Sequence, residues 1–406
     1  MRASLPQAAE SLLSPPVTLE AALPFAGRTV ISLDPAHYDV LKRTVRAAFR
    51  LAHGERWRAR VDAAAPEHLR FAPGNFGAFM GYDFHLTPAG PRLIEINTNA
   101  GGALVNGLHT AALCDPVRLA CLCADLLPVE TMEERIVSQF IVEYEAVRGA
   151  GARPRRVAIA DEKPEQQFLR AEFELMRGLF ERNGIEARIC DTSDLVWRDG
   201  TLSLAGATID LVYLRDTDFM LETPRAAALR AAYLARAVVV TPSPREYFLL
   251  ADKRRLAWLS SPTALAELGA GAEDVALLAE VVPETRLLAE LDAEQVWRER
   301  RAWVFKPATA FGSRAVYRGD KISRRRFDEV RPVPGYLAQR HVEPGEVSVE
   351  TSDGPRAMKF DVRAYAYRDE ILLLGARVYQ GQVTNLRSPG GGFSAICVAS
   401  RASCAS

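Results

Sequence analysis

From Pro35 to Arg60 the apolar residues recur at helical spacing, with Val40, Leu41, Val45, Phe49 and Trp57 along one stripe. That period predicts an amphipathic helix. The pattern then changes. RLIEINTN (92–99) is a short strand with a polar exit, followed by Gly101-Gly102 and a return to helical spacing over 103–148. GARPRR (151–156) is a natural boundary. Beyond it RRVAIAD reads as a buried strand, FLRAEFELMRGLFERNG as a helix closed by Asn183-Gly184, and IEARICD as a second strand. TIDLVYLRD (208–216) is a third. A strand–helix–strand run with polar residues at the strands' carboxyl ends indicates an open parallel sheet, where ligands bind at those ends. Residues 240–300 are mostly helical in pattern. From Trp303 strands dominate: WVFKP, RAVYRG, YLAQRHV, KFDVRAYAYR and ILLLGARVY, with a glycine-rich loop, SPGGGF (388–393), after them. The expected divisions are 1–150, 151–240 and 241–406.

Composition narrows the class. The chain has 406 residues, is 48% hydrophobic and 25% charged, and balances 51 Lys+Arg against 51 Asp+Glu. Such a chain is globular with a sizeable core. A zero formal charge argues against non-specific nucleic-acid or anionic-membrane partners, which need a net positive field. The six cysteines (114, 121, 123, 190, 397, 404) show no metal-binding rhythm, which suits reduced thiols used as small apolar residues. No apolar run has signal-peptide or membrane-span length, so a cytoplasmic location is expected.

Four constellations carry chemistry. Glu95 and Asn97 leave their strand on one face, about 7 Å apart. A carboxylate beside an amide carbonyl is a pair of hard oxygen ligands suited to Mg²⁺ on a phosphate chain. Lys306 ends an otherwise apolar strand and needs an anionic partner there, because burying an unpaired ammonium is costly. Lys253 opens a helix in ADKRRLAW. Lys359, Asp361 and Arg363 share one face of a strand, and Arg377 interrupts the apolar run that follows. Lastly, Asn385 and Arg387 flank Gly390-Gly391-Gly392, whose backbone N–H groups can converge on an anion. Together these describe a site for a nucleoside triphosphate and a carboxylate.

The order of these motifs resembles the circularly permuted ATP-grasp ligases, specifically glutathione synthetase of the eukaryotic type, over residues 71–396. The similarity rests on Gly81-Tyr82-Asp83-Phe84 with LIEINTNAGG, then VYLRD, FLLADKRRLAWL and VFKP, and finally a strand arginine with a glycine-rich loop. VPETRLL (282–288) is similar to the approach to the nucleotide subdomain in the wider superfamily. KFDVRAY through TNLRSPGGGF also looks like the unpermuted ATP-grasp peptide ligases.

The resemblance implies an α/β (α+β) ATP-grasp fold, circularly permuted, with an inserted doubly wound substrate domain. It implies an ATP- and Mg²⁺-dependent carboxylate–amine ligase that passes through an acyl phosphate. Glu95 and Asn97 would hold the metal, and Lys253 and Lys306 the phosphates. Gln339 and Val342 would flank the adenine, with Asn385 also on the nucleotide. Arg377 and Arg363 would meet the acyl phosphate, under a lid carrying Gly391 and Gly392. The synthetases have a metal-binding Glu after the second lysine, whereas this chain reads KPATAFGSR, so Asp361 is the candidate in its place. Tyr379 stands where they have a substrate-binding lysine. Both departures leave the ligase chemistry intact and leave open whether glutathione itself is the product.

Expected partners are a small carboxylic acid and an amine, such as amino acids or a short peptide, with Arg215 and Arg387 pointing to an anionic substrate. The family commonly dimerises, which makes a homodimer the expected assembly. Two alternatives stay open: a nucleotide binder of the same fold without ligase activity, and a carboxylate kinase that stops before amide formation.

Overall fold

The computed structural model describes residues 26–113, 129–309, 315–351, 354–381, 384, 386 and 389–398. It is a mixed α/β structure whose strands, numbered β1 to β18 in chain order, form four sheets. The largest holds β1 (Ala26–Leu33), β2 (Met80–Thr87), β3 (Gly90–Asn97), β15 (Gly345–Thr351), β16 (Gly354–Tyr367), β17 (Glu370–Tyr379) and β18 (Gly392–Val398). Its order is β1-β18-β17-β16-β2-β3, with β15 on the free part of the long β16. Segments from both ends of the described chain therefore share one sheet. β1 runs parallel to β18, placing Ile31 opposite Ile396.

Alternation along these strands sorts their side chains onto two faces. Tyr82, Phe84, Ile96, Val362, Ala364, Ala376 and Val378 point to one face and join the core beneath helix α1 (Pro35–Ala52) and helix α2 (Glu55–Ala64). The intervening positions carry Asp83, Asp361, Arg363 and Arg377. Farther along the same face, Tyr365 and Phe393 pack on helix α3 (Ala103–Leu113).

The single helical period expected over 35–60 is broken in two. Asp34 caps α1 by accepting the Ala36 N–H, with Pro35 at the first helical position. At the other end His53 leaves the helix: its Nδ1 bonds Phe49 O at 2.9 Å and its Nε2 meets Glu246 at 3.1 Å. Gly54 then serves as the N-cap residue of α2. The apolar stripe continues across the break because both helices cover the same core.

The second sheet is wholly parallel, in the order β10 (Val239–Thr241), β9 (Leu211–Leu214), β4 (Arg156–Asp161), β5 (Glu186–Asp191). Its two faces are covered separately. Val157, Ile159, Leu211 and Tyr213 face α3, helix α4 (Val129–Arg148) and helix α5 (Arg170–Arg182), while Ala158, Ala160, Val212 and Leu214 face a second core. Burial on both sides explains the continuous apolar runs of these strands. A short meander, β6 (Val196–Arg198), β7 (Thr201–Leu204) and β8 (Ala207–Thr208), leads back to β9.

The chain reverses direction across this sheet between β4 and β9, where Asp161 and Arg215 lie at the carboxyl ends. Burial pushes the Asp161 carboxyl up to about 7, against the opposing pull of Arg215. A carboxyl whose folded pKa is raised stabilises the fold below its unfolded value near 4, and that contribution is lost as pH rises through about 7. Asp161→Asn should therefore gain stability over the wild type at pH 8.5 by of order 2 kcal/mol more than it does at pH 4. Melting curves at the two pH values check this, and an equal difference at both would sink it.

The remaining sheet is antiparallel, ordered β11 (Thr285–Leu287), β14 (Tyr336–Arg340), β12 (Trp303–Pro307), β13 (Tyr317–Arg318). Trp303, Phe305, Tyr336 and Ala338 close its own small core with Phe327. Among the described residues no helix is long and apolar enough to cross a membrane. Cys190 and Cys397 are buried, and the other four cysteines lie outside the described residues.

Candidate active site

A cleft lies between the charged face of the large sheet and the β11–β14 lobe. Its walls include Asp83, Glu95, Lys253, Lys306, Gln339, Val342, Asp361 and Arg377. Seven of these eight were expected at the site from the sequence, and Asp83 was not.

Lys306 enters from β12. Trp303 and Phe305 take the core side of that strand, so alternation turns Val304 and Lys306 to the cleft. The ammonium is buried and donates to Gln339 Oε1 at 2.8 Å and to Ile94 O at 2.9 Å. Burial lowers its pKa to about 8; Lys253 adds to the fall and Glu95 opposes it. Lys253 is delivered by the turn after a buried π-helical segment, Tyr247–Ala251, and pairs with Glu95 Oε1 at 2.8 Å. Burial alone would raise the Glu95 carboxyl; the two lysines outweigh it and hold it below the ordinary range.

The Gln339 side chain is committed on both ends, since its amide nitrogen donates to Thr285 Oγ1 at 3.0 Å. Val342 O accepts a bond from His85 Nδ1 at 2.9 Å, and because a carbonyl only accepts, that nitrogen carries the proton. Burial lowers the His85 pKa, which keeps the ring neutral.

On the floor, facing residues across the strands form an ion-pair lattice. Asp83 is opposite Glu95 on one side and Arg363 on the other, and Asp361 is opposite Arg377. Arg363 donates to Asp83 through Nε at 2.6 Å and Nη2 at 2.7 Å. Arg377 donates to Asp83 at 2.9 Å and to Asp361 at 2.6 Å. Thr384 Oγ1 takes the other Asp361 oxygen at 2.8 Å. Burial opposes ionisation of Asp83, but the two guanidinia win and hold it at about 2.

Asn97 donates to Asp83 Oδ2 at 3.1 Å, which settles its amide orientation and leaves its carbonyl oxygen as an acceptor. That oxygen and the second Glu95 oxygen are hard donors that fit a Mg²⁺ carried in on phosphate, an ion that keeps few protein ligands. Among the described residues no three His, Cys, Asp or Glu side chains are grouped to hold a metal by themselves. Asp361, the expected substitute ligand, has both oxygens engaged and would have to release a donor to serve.

Three expectations fall elsewhere. Arg363 lies behind Asp83 rather than on the cleft wall. Gly392 is the first residue of β18, paired with Val378, and Gly390 and Gly391 lie in the turn that leads into it. Asn385 and Arg387 lie outside the described residues. His85 and Asp83 on the cleft walls had no part in the expected site, whereas Lys359 and Tyr379, both singled out in the sequence, line the walls as well. A charged residue inside the otherwise apolar run MGYDF was the available signal for Asp83.

No protein-family model matches the chain, and no curated protein matches it. Solved structures similar to it include a candidate gamma-glutamylcysteine synthetase from Methylobacillus flagellatus KT, at 13% identity and TM-score 0.49, covering 90% of this chain and 87% of that one. The ATP-grasp ligase PsnB complexed with a phosphomimetic variant of a minimal precursor, Mg and ADP aligns at 15% identity and TM-score 0.33, over 57% of this chain and 79% of its own. The same ligase with minimal precursor, Mg and ADP aligns at 16% identity and TM-score 0.30, over 59% and 87%.

Proposed function

We propose that the protein is an ATP-dependent carboxylate–amine ligase with a circularly permuted ATP-grasp body and a substrate domain at 151–240. The observation that carries this reading is the convergence of Lys253 and Lys306, from separate segments, beside Glu95 in one cleft floored by Arg377. Buried cations partly neutralised by one carboxylate suit a triphosphate. The pairing of β1 with β18, and of β2 with β16, supports a permuted chain order.

In this mechanism Lys306 and Lys253 bind and align the phosphate chain. Mg²⁺, held by Glu95 and Asn97, would neutralise charge on the phosphates. The substrate carboxylate attacks the γ-phosphorus, giving an acyl phosphate and ADP. An amine then displaces phosphate, forming the amide. Arg377 stabilises the charge that develops on the acyl phosphate. Phosphoryl transfer depends chiefly on positioning and charge neutralisation, which this set of residues supplies without a protein nucleophile. The backbone of 339–342 flanks the adenine, and an amino acid or short peptide is the acid.

The test is ADP release from Mg-ATP by the full chain, with amino acids and short peptides as acids and primary amines as acceptors. The ligase reading expects release that requires both partners. Release without amine identifies a carboxylate kinase, and a thermal shift with Mg-ATP but no release identifies a binder. Mg-ATP affinity should also weaken as pH rises from 7 to 9, approaching tenfold per unit above 8, because Lys306 discharges there. Titrations at three pH values check this; a flat profile would count against Lys306 as a phosphate ligand.

A further inference from the structure

We propose that Asp83 is the positioning residue of this site: one carboxylate aims Arg363, Arg377 and the Asn97 amide together. The inference rests on the ligase reading for its kinetic consequence, but its geometric content stands apart from it. Asp83 is 4% exposed and accepts four bonds, two from Arg363, one from Arg377 and one from Asn97. No other described carboxylate touches both guanidinia.

The three partners are held in distinct ways. Arg363 is bound side-on, through Nε and Nη2, by a bidentate fork, the most directional pairing a guanidinium makes. Its side chain has room because Gly81 precedes Asp83 by two on the same face; a Cβ there would lie 2.6 Å from Ala100 Cβ and 3.5 Å from Arg363 Nε. Arg377 is shared, with Nη2 on Asp83 and Nε on Asp361, so Asp83 sets the rotation of its plane rather than its presence. Asn97 gives its amide nitrogen to Asp83, which fixes its other amide atom, the carbonyl oxygen, as the one left to accept.

Loss of the carboxylate would thus misalign the group meant for the acyl phosphate and the oxygen meant for the cation at once. The phosphate lysines would be left in place, because Lys253 and Lys306 are held by Glu95, Gln339 and Ile94 O. The expected signature is a loss in turnover without a loss in nucleotide binding. A residue that only supported the fold would move both, or melting alone.

The experiment compares wild type and Asp83→Asn, with Asp83→Glu as the second variant should Asp83→Asn fail to fold. The first readout is the ¹⁵N–H signal of the arginine Nε groups, which needs no substrate. Asp83→Asn should lose the slowly exchanging Nε–H of Arg363 and keep that of Arg377, which Asp361 holds. The second readout is ADP release, expected to fall about 100-fold in kcat with KM for ATP unchanged, the scale of a 1 Å misplacement. Asp83→Glu, which keeps the charge but shifts it, should show the same split. Retained Arg363 protection, an unchanged kcat, or a KM for ATP that rises in step with the loss of kcat overturns the proposal. A wild type that neither binds nor turns over Mg-ATP would instead overturn the ligase reading, and the Nε signals would still decide the role of Asp83.

Discussion

Lys306→Met is expected to reduce ATP-dependent ADP release by about 10²- to 10³-fold, the scale of removing one preorganised charged donor from a reacting phosphate or oxyanion. The same change should leave the melting temperature nearly unmoved. A buried ammonium is costly to desolvate, and methionine keeps most of the stem's packing volume while removing that cost. What the variant gives up in the folded state is two hydrogen bonds, to Gln339 Oε1 and Ile94 O. Gln339 still holds Thr285 through its amide nitrogen, so the β11–β14 lobe keeps its register. Glu95 keeps its bond to Lys253. Measured turnover within a few fold of wild type, in a protein that still shows a Mg-ATP thermal shift, would remove Lys306 from the phosphate site.

The largest effect on stability is expected at Glu143, far from the cleft. Its carboxylate is completely buried and accepts from Phe76 N and Gly77 N, both at 2.8 Å, and from Asn75 Nδ2 and Thr241 Oγ1, both at 2.7 Å. Tyr367 OH adds a fifth bond at 3.0 Å. Helix α4, the segment before β2, the end of β10 and the end of β16 are thereby tied to one side chain. Glu143→Ala leaves five donors without this acceptor inside the protein. Breaking such a network by removing one partner costs about 3–5 kcal/mol, a large fraction of the stability of an ordinary domain. Chemical denaturation should show the midpoint falling with an unchanged slope. A loss below about 1 kcal/mol would mean that solvent reaches the vacated position and satisfies the donors.

How much of this was legible in the chain depends on whether a residue's role is local. The strands of the parallel sheet were readable because burial on both faces writes itself as unbroken apolar runs, as in VAIA and LVYL. Lys306 stood out because a cation closing an apolar strand has few explanations. Glu95 and Asn97 are two apart, so alternation alone places them side by side. Asp83 is different. Its partners Arg363 and Arg377 are brought to it only by the register of β16 against β2 and β17, which no local pattern specifies. The break at His53-Gly54 was hidden for a related reason: two helices on one core preserve a common stripe. The glycines at 390–392 marked a loop but not the strand it leads into: Phe393, Ala395 and Ile396 after them are buried, and that apolar run makes β18 a strand.

The place of β18 has a consequence for biosynthesis. It is hydrogen-bonded to β17 on one side and to β1 on the other, so the strand made first in the described chain cannot find its neighbour until residues 392–398 have emerged from the ribosome. The parallel sheet draws all its strands from 156–241 and can close much earlier. During translation the nascent chain would carry a settled parallel-sheet unit flanked by waiting strands, with the edge of β1 unpaired throughout. Unpaired edges on an incomplete sheet are aggregation hazards. Slow or interrupted synthesis after residue 367 should therefore lower the yield of soluble protein more than an equal delay between residues 161 and 241.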